Sequence, residues 1–378
     1  MNQIRKPIKL CMIITDAISF NTLCRGQLEY FQDSKEFDIT LICGGDDAQI
    51  KILKERHVGN VVRMPLVRQP NLFKDIKCLI QLWTYFLFNR FDLIVYSTPK
   101  ALLLGSVAGF FSFQSKRIAL IRGRVYENYV GKKRKIFSFV DKICLFFSHK
   151  ALFISKSLQD IYLKENLVNE KKMMIIHHGS SNGVDTKKFT QLDYQPKSNY
   201  FRIIIMGRIC HDKGIFELEN IIEKIKNLTI QITIVGKVED QQSQNKLNSL
   251  LAHYDFLEYV QHTTEPVSYF QNADLHLFLS HREGFGNVAL EAASCGVPTF
   301  AYDVVGIKDS VKDSVSGLKF GFKDTDAIAD AIHNAVANPQ EFKKEYSQAR
   351  IWVLKNFEQK TVWMNYMQSY IAISEGKI

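Results

Sequence analysis

Short apolar runs bounded by polar or turn residues recur through the first half of the chain, at 9–15, 37–43, 61–64, 93–96, 118–121, 151–154 and 173–176. They are continuous rather than alternating, the pattern of strands covered on both faces in a parallel sheet. Helix-length segments fall between them, at 23–32, 75–88, 101–111 and 136–147. This alternation predicts a doubly wound α/β domain. The polar stretch TQLDYQPKSN at 190–199 breaks the series and reads as a linker. A second series opens at 201–206 and runs through 231–235, 257–260, 275–279 and 298–302, each run followed by a helical segment.

The expected architecture is therefore two Rossmann-like α/β domains, residues 1–195 and 196–350, as the 378-residue length allows. Residues 351–378 complete an aromatic stripe at helical spacing (Trp352, Phe357, Trp363, Tyr366, Tyr370), expected to pack a terminal helix back across the domains. Ligands of open α/β sheets bind beyond the carboxyl ends of the strands, which predicts a site in an interdomain cleft.

Composition narrows the class. Hydrophobic residues at 46% and charged residues at 23% exclude a disordered chain. The seven cysteines are scattered and never form a C-x-x-C pair, which reads as reduced thiols in a cytoplasmic protein. The apolar run near the N-terminus is too short for a signal peptide, and charges interrupt the apolar stretch 137–154, so no membrane span is expected. Net charge is +10, and residues 1–195 carry all of the excess, 30 Lys and Arg against 17 Asp and Glu. A basic half beside a near-neutral half suggests an anionic partner for the first domain, such as a membrane surface, a phosphorylated substrate or nucleic acid.

The most informative window is LHLFLSHREGFGNVALEAASCGVPTFAY at 275–302, a strand, a polar loop, a helix and a second strand. Gly284 and Gly286 flank Phe285 directly before the helix, so the amides of Gly286, Asn287 and Val288 can face an anion that the helix dipole also favours. Glu291 lies inside the helix, placed to accept two hydroxyl hydrogens from a ribose beyond the phosphates, whereas Glu283 precedes the helix on the opposite, sugar side. A second window, FRIIIMGRICHDKG at 201–214, is a buried strand ending in Gly207 with Arg208 and Lys213 in the loop beyond. Two cations there suit a diphosphate leaving group, whose negative charge grows as a glycosidic bond breaks.

These windows resemble glycosyltransferase family 4, retaining nucleotide-sugar transferases with two Rossmann-like domains, the GT-B fold. GRICHDKG looks like the family's diphosphate loop and EGFGNVALE like its E-x7-E signature. The resemblance implies catalytic roles for Glu283, Arg208 and Lys213, and donor contacts for Gly207, Gly284, Phe285, Gly286, Asn287, Val288 and Glu291. STPKALLLG, IRGRVYENYVG and HHGSSNGVD resemble a bacterial subgroup that builds capsule, O-antigen or other polysaccharide units on polyprenyl-linked carriers. The implied partners are a nucleotide-sugar donor, expected to be a UDP-sugar, and a glycan or lipid-linked acceptor.

Two departures are visible. Many members place a histidine after the strand that here ends at Ile121, where this chain has Arg122-Gly123-Arg124. Many also carry a Gly-Gly pair after the first strand, where this chain has Ser19-Phe20-Asn21 and only Gly26. Asn21, Arg122, Arg124 and His178 are the candidates for acceptor or sugar contact.

No cofactor is expected, since no G-x-G-x-x-G follows the first strand. No D-x-D element would hold Mg²⁺ against a diphosphate, and no ligand cluster at metal spacing accompanies His177 and His178, so metal-independent catalysis is expected. The basic, then apolar stretch 132–147 reads equally as a core helix with a basic entry loop or as an interfacial element on the inner face of the membrane. A nucleotide-sugar epimerase on the same fold is the competing enzyme. A non-catalytic basic membrane or nucleic-acid module would leave both windows without purpose, and no nucleic-acid partner is expected.

Overall fold

The computed structural model describes residues 6–192 and 199–378. Part of the expected linker, residues 193–198, lies outside the described residues. The chain divides into two compact units, Met1–Asn182 with Lys360–Ile378, and Gly183–Gln359. Residues 183–192 and 351–359 thus go with the second unit, and residues 360–378 return to the first.

Among the described residues the first unit holds seven strands, β1 (Ile8–Asp16), β2 (Phe37–Gly44), β3 (Asn60–Arg63), β4 (Leu93–Ser97), β5 (Lys116–Ile121), β6 (Lys150–Phe153) and β7 (Met173–Ile175). They form one parallel sheet in the order β3-β2-β1-β4-β5-β6-β7. Burial on both faces explains the continuous apolar runs: Leu10, Cys11, Ile13, Ile42, Leu93 and Ile94 are all fully covered. The segment 23–32 is two helices rather than one, Ala17–Leu23 and Gln27–Ser34. They break at Gly26, whose φ is +78° and where a Cβ would come within 2.4 Å of the Trp363 ring. Trp363 comes from the terminal helix Gln359–Ser374, which Tyr366 also anchors by donating its hydroxyl to the Ser180 carbonyl at 3.0 Å.

The second unit holds β8 (Phe201–Met206), β9 (Ile230–Val235), β10 (Leu257–Val260), β11 (Leu275–Phe278), β12 (Thr299–Tyr302) and β13 (Gly317–Phe320). Its parallel sheet has the order β10-β9-β8-β11-β12-β13. The chain builds outward from β8 to β10, then crosses back to lay β11 on the other side of β8. The loops after β8 and β11 consequently leave adjacent strand ends in opposite directions of winding, which opens a crevice at this switch point. Ile203, Ile232, Leu275, Leu277 and Phe300 fill the core beneath it, with Leu218, Ile222 and Ile332 from the covering helices.

Candidate active site

The crevice in the second unit is built by two loops that hold each other. The loop after β8 carries Gly207, Arg208 and Lys213; the loop after β11 carries Ser280 to Gly286. The His281 amide donates to the Asp212 carbonyl at 2.9 Å, and the Arg282 guanidinium grips the Asp212 carboxylate through Nε at 2.9 Å and Nη2 at 2.7 Å. Backbone contact is so close at Gly214 (φ +81°) that a Cβ would lie 2.4 Å from the Leu279 carbonyl oxygen. Glycine is required there by both dihedral angle and space.

The two loops bring together cation and carboxylate that stand far apart in sequence. Lys213 Nζ donates to Glu283 Oε1, and Ser280 Oγ donates to the same oxygen at 3.0 Å. Arg208 Nη1 donates to Glu239 Oε1 at 2.7 Å on the more exposed rim. Arg208, Lys213 and Gly207 line one cavity together with Gly214 and Ser280. A Cβ at Gly207 would meet nothing within 4 Å, so its backbone faces open space.

The glycine turn before the helix Asn287–Ser294 is also built for close approach. Gly286 has φ +86°, and a Cβ there would stand 2.9 Å from Ser310 Oγ and 3.0 Å from the Phe278 ring. The helix start has no side-chain cap, which suits an exogenous anion at the Asn287 and Val288 end. Phe285 is buried against Phe357, ring centroids 5.5 Å apart, so it offers a ligand only its backbone beside that of Gly284.

Glu291 sits half-buried on this helix, and among the described residues no side chain hydrogen-bonds to its carboxylate. Burial pushes its carboxyl up from the ordinary 4.5 to about 7, with the positive charge of Lys188 pulling weakly the other way. Such a group is short of donors, and a vicinal diol would supply two.

In the first unit the predicted contact residues separate. Asn21 is held in a local network, donating to the Gln49 carbonyl at 3.1 Å and Gln49 Oε1 at 2.9 Å and accepting from Arg56 at 3.2 Å. Arg124 is buried, with Nη1 2.8 Å from Glu165 Oε2 and its guanidinium over the Tyr126 ring at 5.1 Å. Both residues therefore already have partners within the first unit. Arg122 Nε donates to Ser97 Oγ at 3.4 Å, while its buried Nη1 has no hydrogen-bond partner among the described residues. His178 is exposed beyond β7, its ring 4.2 Å from that of His177.

Glu239, Asp212 and Arg282 carry no signal in sequence spacing, because their partners lie on other loops, and neither does Ser280, though its partner Glu283 is on its own loop. One further grouping was also missed: ligand atoms of His211, Asp212 and His281 lie within 4.8 Å of one another. Asp212 there is already held by Arg282, and His281 Nε2 lies 3.2 Å from Glu217 Oε2. Burial pushes the Glu217 carboxyl up, but His281 and Lys323 outweigh it and hold it at about 2.

A doubly wound parallel sheet with cations and an uncapped, glycine-led helix start at its switch point is the frame of a nucleotide-binding α/β protein. Residues 187–351 match the family model described as glycosyl transferases group 1. The capsular polysaccharide biosynthesis glycosyltransferase CapM of Staphylococcus aureus is 30% identical over 299 residues, covering 76% of this chain and 77% of that one. The UDP-Gal:alpha-D-GlcNAc-diphosphoundecaprenol alpha-1,3-galactosyltransferase of Escherichia coli is 24% identical over 72% of this chain and 73% of its own length. The crystal structure of Anabaena HepE in complex with UDP has the same fold, with a TM-score of 0.77 at 16% identity over 97% of this chain and 100% of that one. The chain belongs to the group 1 glycosyl transferases, with the two Rossmann-like sheets of the GT-B fold, and is a glycosyltransferase of capsule or polysaccharide biosynthesis.

Proposed function

We propose that this enzyme transfers a sugar from a UDP-sugar, with retention and without a metal, to a polyprenyl-diphosphate-linked or other glycan acceptor. The observation that carries the reading is Glu291, a half-buried carboxyl that receives no side-chain hydrogen bond among the described residues, on the uncapped helix that follows β11, the strand paired with β8, whose loop carries Arg208 and Lys213. In this reading the ribose hydroxyls donate to Glu291, and the diphosphate lies against Arg208, Lys213 and the amides of Gly286 to Val288. Glu283 supports the sugar as positive charge develops on it. The bond from the anomeric carbon to the diphosphate oxygen breaks while the acceptor oxygen bonds to that carbon on the same face. The acceptor proton passes to the departing phosphate oxygen, so no protein base is required.

Loss of charge stabilisation by Arg208 and Lys213 would correspond to roughly 2–4 kcal/mol of barrier. The lipid-linked acceptor is supported by the E. coli relative, whose name specifies a diphosphoundecaprenol substrate. Acceptor recognition we assign to the first unit, with Arg122 as the candidate, since its buried Nη1 has no hydrogen-bond partner among the described residues. Seven free, buried cysteines support a cytoplasmic setting.

The test is a thermal-shift panel of nucleoside diphosphates and sugar nucleotides, since a ligand bound only by the native state raises its melting temperature. UDP should stabilise more than GDP, and transfer should persist in EDTA with the anomeric configuration of the donor kept in the product. Absence of stabilisation by any sugar nucleotide, or an inverted product, would count against the reading. Loss of turnover in EDTA that Mg²⁺ restores would remove the metal-independent step.

A further inference from the structure

We propose that the first unit carries a docking surface for an anionic lipid bilayer, formed by the helices Leu72–Phe88 and Gly131–Phe146 and by the end of Pro99–Phe111 between them. The helix Leu72–Phe88 buries only Cys78, Leu82 and Phe86. Its outward stripe, where a water-facing helix carries polar residues, is Leu72, Phe73, Ile76, Ile80, Trp83 and Leu87, every one exposed and at spacings of three and four from Phe73 onward. Phe73 is 86% exposed and Phe88, at the end of the helix, 87%.

The stripe continues onto its neighbours. Trp83 Nε1 donates to the Phe111 carbonyl at 3.3 Å. The rings of Phe110 and Phe111 stand 4.6 and 5.7 Å from Phe147, which in turn is 5.3 Å from the exposed Phe146. Ile136 and Phe139 extend the apolar surface along the last helix, both more than 60% exposed. An exposed apolar area that runs over three adjacent helices is more than scattered surface residues.

Charge identifies the occupant. The helix Gly131–Phe146 contains Lys132, Lys133, Arg134, Lys135 and Lys142, so the basic run forms its first turn rather than an entry loop. Its one acid, Asp141, is turned to the hydroxyls of Tyr126 and Tyr162. On the helix Leu72–Phe88, Lys74 and Lys77 are exposed, and Asp75 is held by Lys100 at 2.7 Å. Cations around exposed phenylalanines match a layer of anionic headgroups over hydrocarbon. A second copy on the same face would set lysines against lysines, which disfavours a symmetric dimer. No helix among the described residues is long and apolar enough to cross a membrane, so the surface lies on the bilayer. The docking surface deepens the proposed use of a lipid-linked acceptor, but its test does not depend on transfer.

The experiment is cosedimentation of the full chain with phosphatidylcholine vesicles, with and without phosphatidylglycerol. The chain should pellet with the anionic vesicles and be released by salt. K132Q/K133Q/K135Q should lower partitioning about a hundred-fold, from roughly five-fold for each cation removed. Phe73→Ser with Ile80→Ser should lower it at least about ten-fold, through the apolar area alone. Circular dichroism melts show whether each variant is folded, and the UDP thermal shift reads the donor site separately. A chain that stays in the supernatant, folded variants that bind like the parent, or a dimer that the Phe73 and Ile80 changes dissociate would each overturn the docking surface. Missing UDP stabilisation with intact vesicle binding would sink only the donor reading.

Discussion

Glu291→Gln separates the carboxyl's proposed role from its burial. Folding raises the pKa of this carboxyl from 4.5 to about 7, so the native state holds the proton more tightly than the unfolded chain. The associated penalty is absent below pH 4.5, grows as pH rises, and is complete above pH 7; its ceiling is about 3 kcal/mol, from 1.36 kcal/mol for each unit of pKa. Glutamine keeps the shape and cannot ionise. The variant should therefore match the parent near pH 4.5 and be the more stable protein at pH 8, by a melting temperature difference of up to about 10 °C. With UDP present the difference at pH 8 should shrink by roughly 1.5–3 kcal/mol, because the ribose hydroxyls lose an anionic acceptor of that worth, or about ten- to a hundred-fold in affinity. The assay is a melting series from pH 4.5 to 8.5 on both proteins, with and without UDP. Superimposable pH profiles would refute the buried-carboxyl argument, and equal UDP stabilisation would refute the ribose contact.

Arg208→Ala should lower kcat/KM by roughly 2–4 kcal/mol in barrier while leaving the melting temperature nearly unchanged, because its ion pair with Glu239 lies on the exposed rim. Gly214→Ala should lower both stability and activity, since a φ of +81° and a Cβ 2.4 Å from Leu279 force the two loops apart; a cost of about 2 kcal/mol or more should appear in denaturant titration. Arg124→Met should destabilise by about 1–3 kcal/mol, since Glu165 loses its buried partner but keeps Arg134 at 2.7 Å, and the UDP thermal shift should survive in the folded fraction. A selective loss of transfer without loss of stability would return Arg124 to the substrate contacts.

The strands were legible because a strand covered on both faces has to be apolar throughout, as Leu93 to Tyr96 and Ile118 to Ile121 are, all of them buried. The helix start at Asn287 was legible because its glycines are local: the chain can turn there only with φ positive, and the turn and its neighbours sit in one short window. What was not legible depends on distant partners. Gly26 splits the first helical segment because Trp363 packs on it from the far end of the chain, and nothing near Gly26 announces that. Strand β13, only Gly317–Phe320, was missed because a buried glycine and three half-buried residues carry little periodicity. The partners of Arg124, Glu165 and the rings of Tyr126 and Tyr162, are likewise set by the fold rather than by the local window.

The same long-range pairing changes how the donor site should respond to substitution. In the unliganded protein each cation of the β8 loop already has a carboxylate, Arg208 on Glu239 and Lys213 on Glu283. The first pair is exposed to 60% and 40%, so a diphosphate can displace Glu239 at little cost. The second is not equivalent: its side chains are only 20% and 19% exposed, and Ser280 holds the carboxylate as well. Removing Lys213 would leave Glu283 partly desolvated and unpaired, so part of any loss in K213A comes from the stranded carboxylate rather than from the missing contact to phosphate. A diphosphate that shares Lys213 with Glu283 also brings the sugar attached to it toward that carboxylate, so the two proposed roles are coupled by one hydrogen bond. Measuring kcat/KM for K213A, E283Q and K213A/E283Q gives that coupling directly. The double variant should lose about 1–3 kcal/mol less than the two single losses together, and strictly additive losses would mean that the pair is not maintained in the transition state.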